Sequence, residues 1–463
     1  MRKIILPILL LLMACVSLVP QRLFQSSNSS VPPSVRTHPD GPLYVGDQVS
    51  FEVYHPAVTQ PTSTRALISL AGKPLAEESF GSFGMGGRSQ ATFYWVWDTR
   101  ELLPGDYTLT FSLQPGTEHW DEKITLLPAG DVPYPEPDAR WESAETACCV
   151  IHYISGTDAE KDLEALKTMV AAQSADVEDR LKASFQGKIP ITFLPRTLGH
   201  GGFTSDGIYV SYLHQNYAGS TARQVTHHEM VHWLDGQVGG MLRPSILQEG
   251  LAVYLSDGHF KLEPILPRAA ALLDLGWYIP LRKLTNSFYL SQHEIGYAEA
   301  AALVSYMIST YGWEKYNNFY RNIEPVPAGS DAGVLDAALQ ARLGLSLDQL
   351  EQNFLNFLRK QPVSDPVRTD LRLTVAFYDA VRRYESDMDP SAYFLQAWLP
   401  DVARMRQRNI VADFLRHPDS PLNRQIELLF VSGDVSLLEE KYTAAEIKIR
   451  IIVALLDLQK YIY

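Results

Sequence analysis

The sequence predicts a multidomain chain, with an all-β sandwich first, an α+β domain in the middle and an α-helical domain last. Three observations carry this. Short runs with period-two alternation crowd residues 40–128, and a proline-dense break follows them. Beyond that break, strand-like runs alternate with helical ones. After a second break near Pro362–Pro366, helical periodicity continues alone. At 463 residues the chain is too long for one ordinary domain. Its 46% hydrophobic and 20% charged residues describe a globular protein with ample core. A net charge of −13, with no clustered Lys/Arg stripe, argues against a nucleic-acid partner.

Residues 1–24 are expected to be a targeting segment. Arg2 and Lys3 precede an apolar run from Ile4 to Val19, interrupted by Pro7 and Ser17, which is a signal-peptide pattern and short for a membrane span. Leu12-Met13-Ala14-Cys15 resembles the bacterial lipobox, in which the cysteine becomes a lipidated first residue. Met13 is unusual at its position, and an uncleaved anchor is the alternative. Either reading implies an exported protein at a bacterial cell surface or in the periplasm, tethered to the membrane through Cys15 or the apolar segment. Residues 25–39, rich in Ser, Asn and Pro, are expected to be a flexible tether.

In residues 40–128, strands are expected at Val49–Tyr54, Ala66–Leu70, Ala91–Trp97, Tyr107–Leu113 and Lys123–Leu127. That many short strands without helical periodicity imply an immunoglobulin-like β-sandwich. Gly81–Gly87 lacks phosphate-loop spacing and is expected to be a loop. Residues 129–140 form a proline-rich linker, with Pro128–Pro137 the clearest boundary.

The central domain is expected over residues 141–361. Cys148–Tyr153 is a candidate strand, and a long amphipathic helix begins near Thr157, with Leu163, Leu166, Val170 and Val177 on one stripe. Ile189–Leu194 and Gly207–Tyr212 are further strands. The adjacent Cys148 and Cys149 are expected to be unlinked core residues, since the peptide between neighbouring cysteines must distort to join them. Residues 362–463 are expected to form helices at Thr369–Tyr384, Ser391–Leu415, Leu422–Phe430 and Val435–Tyr463.

The chemistry gathers in Thr221–Gly236, which contains His228-Glu229-Met230-Val231-His232. On a helix, residues four apart lie one turn above each other, so the two imidazoles share a face and can grip one metal ion. Glu229 then stands beside the first ligand as a candidate general base. Thr221 with Gln224 has the form of a capping box, and Gly236 is a plausible helix stop. A catalytic zinc usually takes three protein ligands, and the downstream candidates are Asp235, Glu249, Asp257, His259 and Glu263. Glu249 stands out because it opens a second expected helix, capped by Ser245 with Gln248 in the box position, and is accompanied by Gly250 and Ala252, small enough for close packing. His227 is expected to point away from the ligand face, and Asp235 either orients an imidazole or takes part in the helix end.

The motif His-Glu-x-x-His, followed after a loop by a helix carrying Glu249-Gly250-Leu251-Ala252, resembles the gluzincin metallopeptidases, and specifically the peptidase MA-like family. The resemblance spans roughly Cys148–Lys360 and includes Gly296–Tyr306 and Gly344–Phe354. Sixteen residues separate His232 from Glu249, slightly fewer than in the related aminopeptidase N and thermolysin groups. It implies a zincin-type fold and one Zn2+ held by His228, His232 and Glu249. It also implies hydrolysis of a peptide or protein substrate by a Glu229-activated, zinc-bound water. In the aminopeptidase relatives a tyrosine at the matching helix start hydrogen-bonds the oxyanion, so Tyr297 takes that role by resemblance; an ordinary packed aromatic is the alternative. Those relatives also grip the substrate amine with a glutamate on an edge strand. The edge strand here is expected to be Gly207–Tyr212, with only Asp206 nearby, which favours an endopeptidase. Two rivals remain, a catalytically silent surface binding protein on a peptidase scaffold and a zinc amidase acting on a cell-wall bond.

Overall fold

The structure, a computed structural model, describes residues 33–56, 58, 63–83, 88–199, 201–259, 261–326, 329–392 and 401–459. The expected targeting segment with Cys15, most of the tether and residues 84–87 of the glycine-rich segment lie outside them. The chain is multidomain, β-rich at its N-terminal end and helical at its C-terminal end.

Nine strands make two facing sheets. They are β1 (Ser34–His38), β2 (Leu43–Tyr44), β3 (Gln48–Tyr54), β4 (Arg65–Leu70), β5 (Lys73–Ser79), β6 (Gly81–Phe83), β7 (Arg88–Asp98), β8 (Gly105–Gln114) and β9 (His119–Leu127). One sheet has the order β1-β3-β7-β6 and the other β2-β9-β8-β4-β5. Alternation decides the inner faces: Val49, Phe51 and Val53 from β3 meet Leu109, Phe111 and Leu113 from β8 in one core. Phe51 and Phe111 stand edge to face, 5.8 Å apart. Residues 34–38, assigned from sequence to the tether, are instead β1, paired antiparallel with β3. The run is too short and too polar to have shown a period.

Five more strands, β10 (Trp141–Glu145), β11 (Cys149–Ile154), β12 (Ile189–Leu194), β13 (Gly202–Thr204) and β14 (Ile208–Ser211), form a mixed sheet in the order β10-β11-β12-β14-β13. β11, β12 and β14 run parallel, and β13 returns antiparallel to β14 at the edge. The expected edge strand Gly207–Tyr212 is therefore an interior strand. The true edge is β13, which three residues were too few to announce. The long helix is broken into Asp158–Lys161 and Leu163–Leu181, and the second piece buries Leu166, Val170, Val177 and Leu181 against the sheet. The cysteine expectation is corrected: Cys148 and Cys149 are disulfide-linked to each other.

Helices follow at Ala222–Val238, Ser245–Leu255, Ile265–Leu275, Leu281–Asn286, His293–Tyr311, Trp313–Arg321, Asp331–Leu343 and Leu347–Leu358, and they share one core with the mixed sheet. The tail forms Asp365–Met388, Val402–Gln407, Ala412–Leu415, Pro421–Leu438 and Tyr442–Gln459. The single helix expected over Ser391–Leu415 is interrupted: Ser391 and Ala392 are helical, Val402–Gln407 and Ala412–Leu415 are separate short helices, and Leu395 and Leu399, whose spacing in the sequence suits core burial, lie outside the described residues. Among the described residues, no helix is long and apolar enough to cross a membrane.

The tail supports the segment that leads into the His-Glu-x-x-His helix. Tyr217 and Ala218 pack into the tail core with Phe377, Tyr384 and Phe430. The Tyr217 hydroxyl donates to Asp389 Oδ2 (2.8 Å), whose other oxygen takes the buried Arg196 guanidinium. Arg416 ties the tail to the β-sandwich and the linker at once, donating to both oxygens of Asp47 (2.7 and 2.8 Å) and to both of Glu136 (2.8 and 2.5 Å).

Asp413 lies near that tie, 2% exposed, with neither carboxylate oxygen hydrogen-bonded to another of the described residues. Burial raises its pKa from 3.8 to about 7, against the pull of His38 and Arg416 and with the push of Asp47. The fold thus holds a proton that the unfolded chain releases. This contribution to stability is fully present below pH 3.8 and is lost as pH rises through about 7. Asp413→Asn is expected to melt higher than wild type at pH 8.5 by an amount on the order of 1–4 kcal/mol, with the gap closing towards pH 5. Parallel melting curves at the two pH values read this directly, and a variant less stable at both would refute it.

Candidate metal centre

The Ala222–Val238 helix starts at Thr221, whose side chain accepts the Gln224 N–H at 3.3 Å. The second half of the expected capping box is not made. The Gln224 amide donates instead to the Ser256 and Gly258 carbonyls (2.6 and 2.9 Å), fastening this helix to the turn after Ser245–Leu255. Gly236 is interior, and the stop is Gly239, at φ +82°, whose N–H bonds the Asp235 carbonyl at 3.1 Å.

His228 and His232 stack one turn apart, with ring centroids 4.7 Å apart and planes at 81°. Their Nε2 atoms face each other at 3.0 Å. Glu249 Oε2 lies 3.0 Å from His232 Nε2 and 3.4 Å from His228 Nε2. The three ligand atoms lie within 4.8 Å of one another, and the residues are all at most 9% exposed at their side chains. Glu249 reaches this point because its helix approaches the His293–Tyr311 helix closely. A Cβ on Gly250 would stand 2.5 Å from the Ala300 carbonyl oxygen, so only glycine permits that crossing. The expected Ser245 cap is absent: Pro244 holds the cap position and Ser245 is already helical.

This donor set fits a divalent metal. Two ring nitrogens aimed at each other and at one carboxylate leave room for protons on only some of those contacts, whereas a cation satisfies all three. Both Nδ1 atoms are buried without a partner among the described residues. Burial alone would raise the Glu249 carboxyl, but His232 and His228 hold it well below the ordinary carboxylate range. Burial likewise lowers His232, and Glu249 overrides it to raise the imidazole to about 9. Two imidazoles and a carboxylate, leaving a further position, are the ligand set of a catalytic zinc.

Glu229 sits beside the triad, and its Oε2 accepts the Thr204 hydroxyl at 2.8 Å. Thr204 belongs to the edge strand β13, which presses onto this helix: a Cβ on Gly202 would meet the Val225 side chain at 2.5 Å. Tyr297 is buried and stacked on His259, with centroids 3.8 Å apart, and its ring lies 6.3 Å from that of His228. Burial, then Glu249, raises its hydroxyl well above the usual tyrosine range.

Two neighbours of Glu229 and Glu249 escaped sequence reasoning. Thr204 is one, because β13 shows no period. Tyr289 is the other; its hydroxyl donates to Glu249 Oε1 at 2.6 Å from a 3-10 turn, Phe288–Leu290, that carries no motif. Tyr289→Phe is expected to weaken metal affinity about 10–100-fold by freeing Glu249 to turn. Competition against a chromophoric chelator measures this, and unchanged affinity would contradict it.

The other candidates lie elsewhere. Asp257 pairs with Arg180 (2.7 Å), and Glu263 pairs with Arg268 (3.1 Å). His259 lines the cleft against Tyr297, outside the ligand triad. His227 points away from the ligand face, as expected, and is buried between Ser256 Oγ and Asp176 Oδ2 (both 2.8 Å). Asp235 binds Arg243, Arg321 and Tyr320 rather than an imidazole. Asp206 accepts from the Tyr209 hydroxyl at 2.7 Å.

The triad, Glu229, Thr204 and Tyr297 line a cleft of about 800 Å³. No family model and no characterised protein sequence matches the chain. Among solved structures it is similar to M1 zinc metallopeptidases. A point mutant of the Deinococcus radiodurans enzyme shares 14% identity, covering 69% of this chain and 91% of that one at a TM-score of 0.30. The unmutated Deinococcus radiodurans enzyme shares 13% identity, covering 68% and 90% at 0.29. A point mutant of a two-domain M1 zinc metallopeptidase, bound to L-tryptophan, shares 14%, covering 70% and 94% at 0.29. At that overlap the likeness carries nothing about chemistry, which rests on the residues themselves.

Proposed function

We propose that this chain is a zinc-dependent peptidase of the gluzincin kind, close to the peptidase MA-like family, acting as an endopeptidase. The convergence of His228, His232 and Glu249 in a cleft that also holds Glu229 carries this reading. A zinc ion held by those three residues supplies Lewis-acid chemistry, polarising a carbonyl and bringing the pKa of water towards neutrality. Glu229 accepts the proton of the attacking water and passes it to the leaving amine. Thr204 holds the Glu229 carboxylate on the strand side, and Tyr289 holds Glu249. Tyr297 is the proposed donor to the oxyanion.

Among the described residues β13 has a sheet partner only in β14, and Gly202, Phe203 and Thr204 line the cleft, so an extended substrate would add to that edge. Among the described residues lining the cleft, Glu229 and Glu249 are the only carboxylates. Both are committed to chemistry, which leaves none to grip a substrate amine and favours internal cleavage.

The β-sandwich is proposed to be immunoglobulin-like and to serve as a spacer; its N-terminal limit moves to Ser34, and the other domain limits are proposed as inferred from sequence. Export and tethering through Cys15 or the Ile4–Val19 run rest on those residues alone. Unfolded casein, incubated with and without a zinc chelator, tests the activity. Chelator-sensitive internal cleavage is expected. No cleavage by the zinc-loaded protein would favour a silent binding scaffold, and release of products from cell-wall material alone would favour an amidase.

A further inference from the structure

Arg243 is the only Lys or Arg among the described residues lining the cleft. Gly236 lies one turn beyond His232 on the same helix face, and a Cβ there would stand 3.8 Å from Arg243 Nη1. The guanidinium therefore flanks the turn that follows the second metal-facing imidazole.

Among the described residues its charge is not fully compensated. The buried Asp235 carboxylate faces two guanidiniums, Arg243 Nη1 at 2.9 Å and Arg321 Nη1 at 2.6 Å, and also accepts the Tyr320 hydroxyl at 2.9 Å. One carboxylate neutralises one of the two. Arg321 is spent locally, donating to the Asp235 and Gly239 carbonyls (3.2 and 2.8 Å) and to Asn317 Oδ1 (3.2 Å), with its plane over the Tyr320 ring. Arg321 is 12% exposed at its side chain, whereas Arg243 is 27% exposed and makes a single ion pair through one nitrogen. The surplus charge therefore opens into the cleft through Arg243, whose remaining fork matches a carboxylate bidentately. Trp233 Nε1 adds a second donor to this wall, buried and without a partner among the described residues.

We propose that Arg243 is a carboxylate subsite of the cleft and selects peptides that place an acidic side chain or a free C-terminus beside the turn after His232. That the ligand is a peptide rests on the peptidase reading above.

The test is calorimetric titration of the zinc-loaded Glu229→Gln protein with short, end-blocked peptides carrying one Glu or one Gln moved through the sequence. A second arm compares a free with an amidated C-terminus. Glu at one position, or the free terminus, is expected to bind at least about tenfold tighter than its uncharged counterpart. The preference should vanish in Arg243→Gln and shrink in Arg243→Lys, which keeps the charge but loses the fork. Asp235 retains Arg321 and Tyr320 in both variants; if the Gln variant melts early, the Lys variant decides.

Equal affinities throughout, no binding by any peptide, or a bias that survives loss of Arg243 would overturn the subsite. If wild type cuts none of the peptides that the Glu229→Gln protein binds with this bias, the peptidase reading falls and the subsite stands. Unbiased cutting has the reverse meaning.

Discussion

Glu229→Gln is expected to lower casein hydrolysis by about 10²–10⁴-fold while zinc content stays stoichiometric. The amide is isosteric and still able to accept from Thr204 Oγ1, now 2.8 Å from Oε2, so the cleft keeps its shape. On the proposed mechanism, what is lost is a group that takes a proton from water and returns it to the leaving amine. Because this group acts in the transition state, kcat should fall with little change in KM. Steady-state kinetics beside metal analysis separates the outcomes. Full activity in the variant would remove Glu229 from the mechanism, and lost zinc would move it into the metal site.

Truncating a ligand is expected to act on both metal and fold. His232→Ala and Glu249→Ala each remove one of three converging donors, and neither should retain stoichiometric zinc after dialysis. Binding to the folded state alone stabilises it, by about 4 kcal/mol when free zinc is about a thousandfold above its dissociation constant. Added zinc should therefore raise the wild-type melting temperature, and this rise should disappear in either variant. Glu249→Ala carries a second cost, since it strips the buried His232 imidazole of the carboxylate 3.0 Å away. A variant that still holds one zinc and melts higher with it would exclude the missing residue from the ligand set.

These expectations draw unequally on sequence and on fold. The pairing of His228 with His232 is local, because helical geometry places residues four apart on one face whatever surrounds them. Glu249 was legible for a different reason: its neighbour Gly250 signals a close helix contact, and the contact with Ala300 is what brings the carboxylate in. The strands β3, β4, β7, β8 and β9 announced themselves through alternation over six to eleven residues. β1, β2, β6 and β13 span two to five residues, too few for a period, and they form because neighbouring strands supply their hydrogen bonds. The Thr221 start was legible, but half of its capping box gave way to a long-range partner, the Gln224 amide bonding the Ser256 and Gly258 carbonyls.

By itself, then, the sequence determined the order of β, α+β and helical regions and nominated the residues of a metal site, because those depend on periodicity and on spacings within a turn or two. Tertiary structure alone decided which strand borders the cleft and that Thr204 and Tyr289 hold the two carboxylates. It also set Asp235 against two arginines, and had the tail core grip Tyr217 ahead of the site. Each of those contacts joins segments brought together only by burial of a shared core, and no spacing along the chain encodes them.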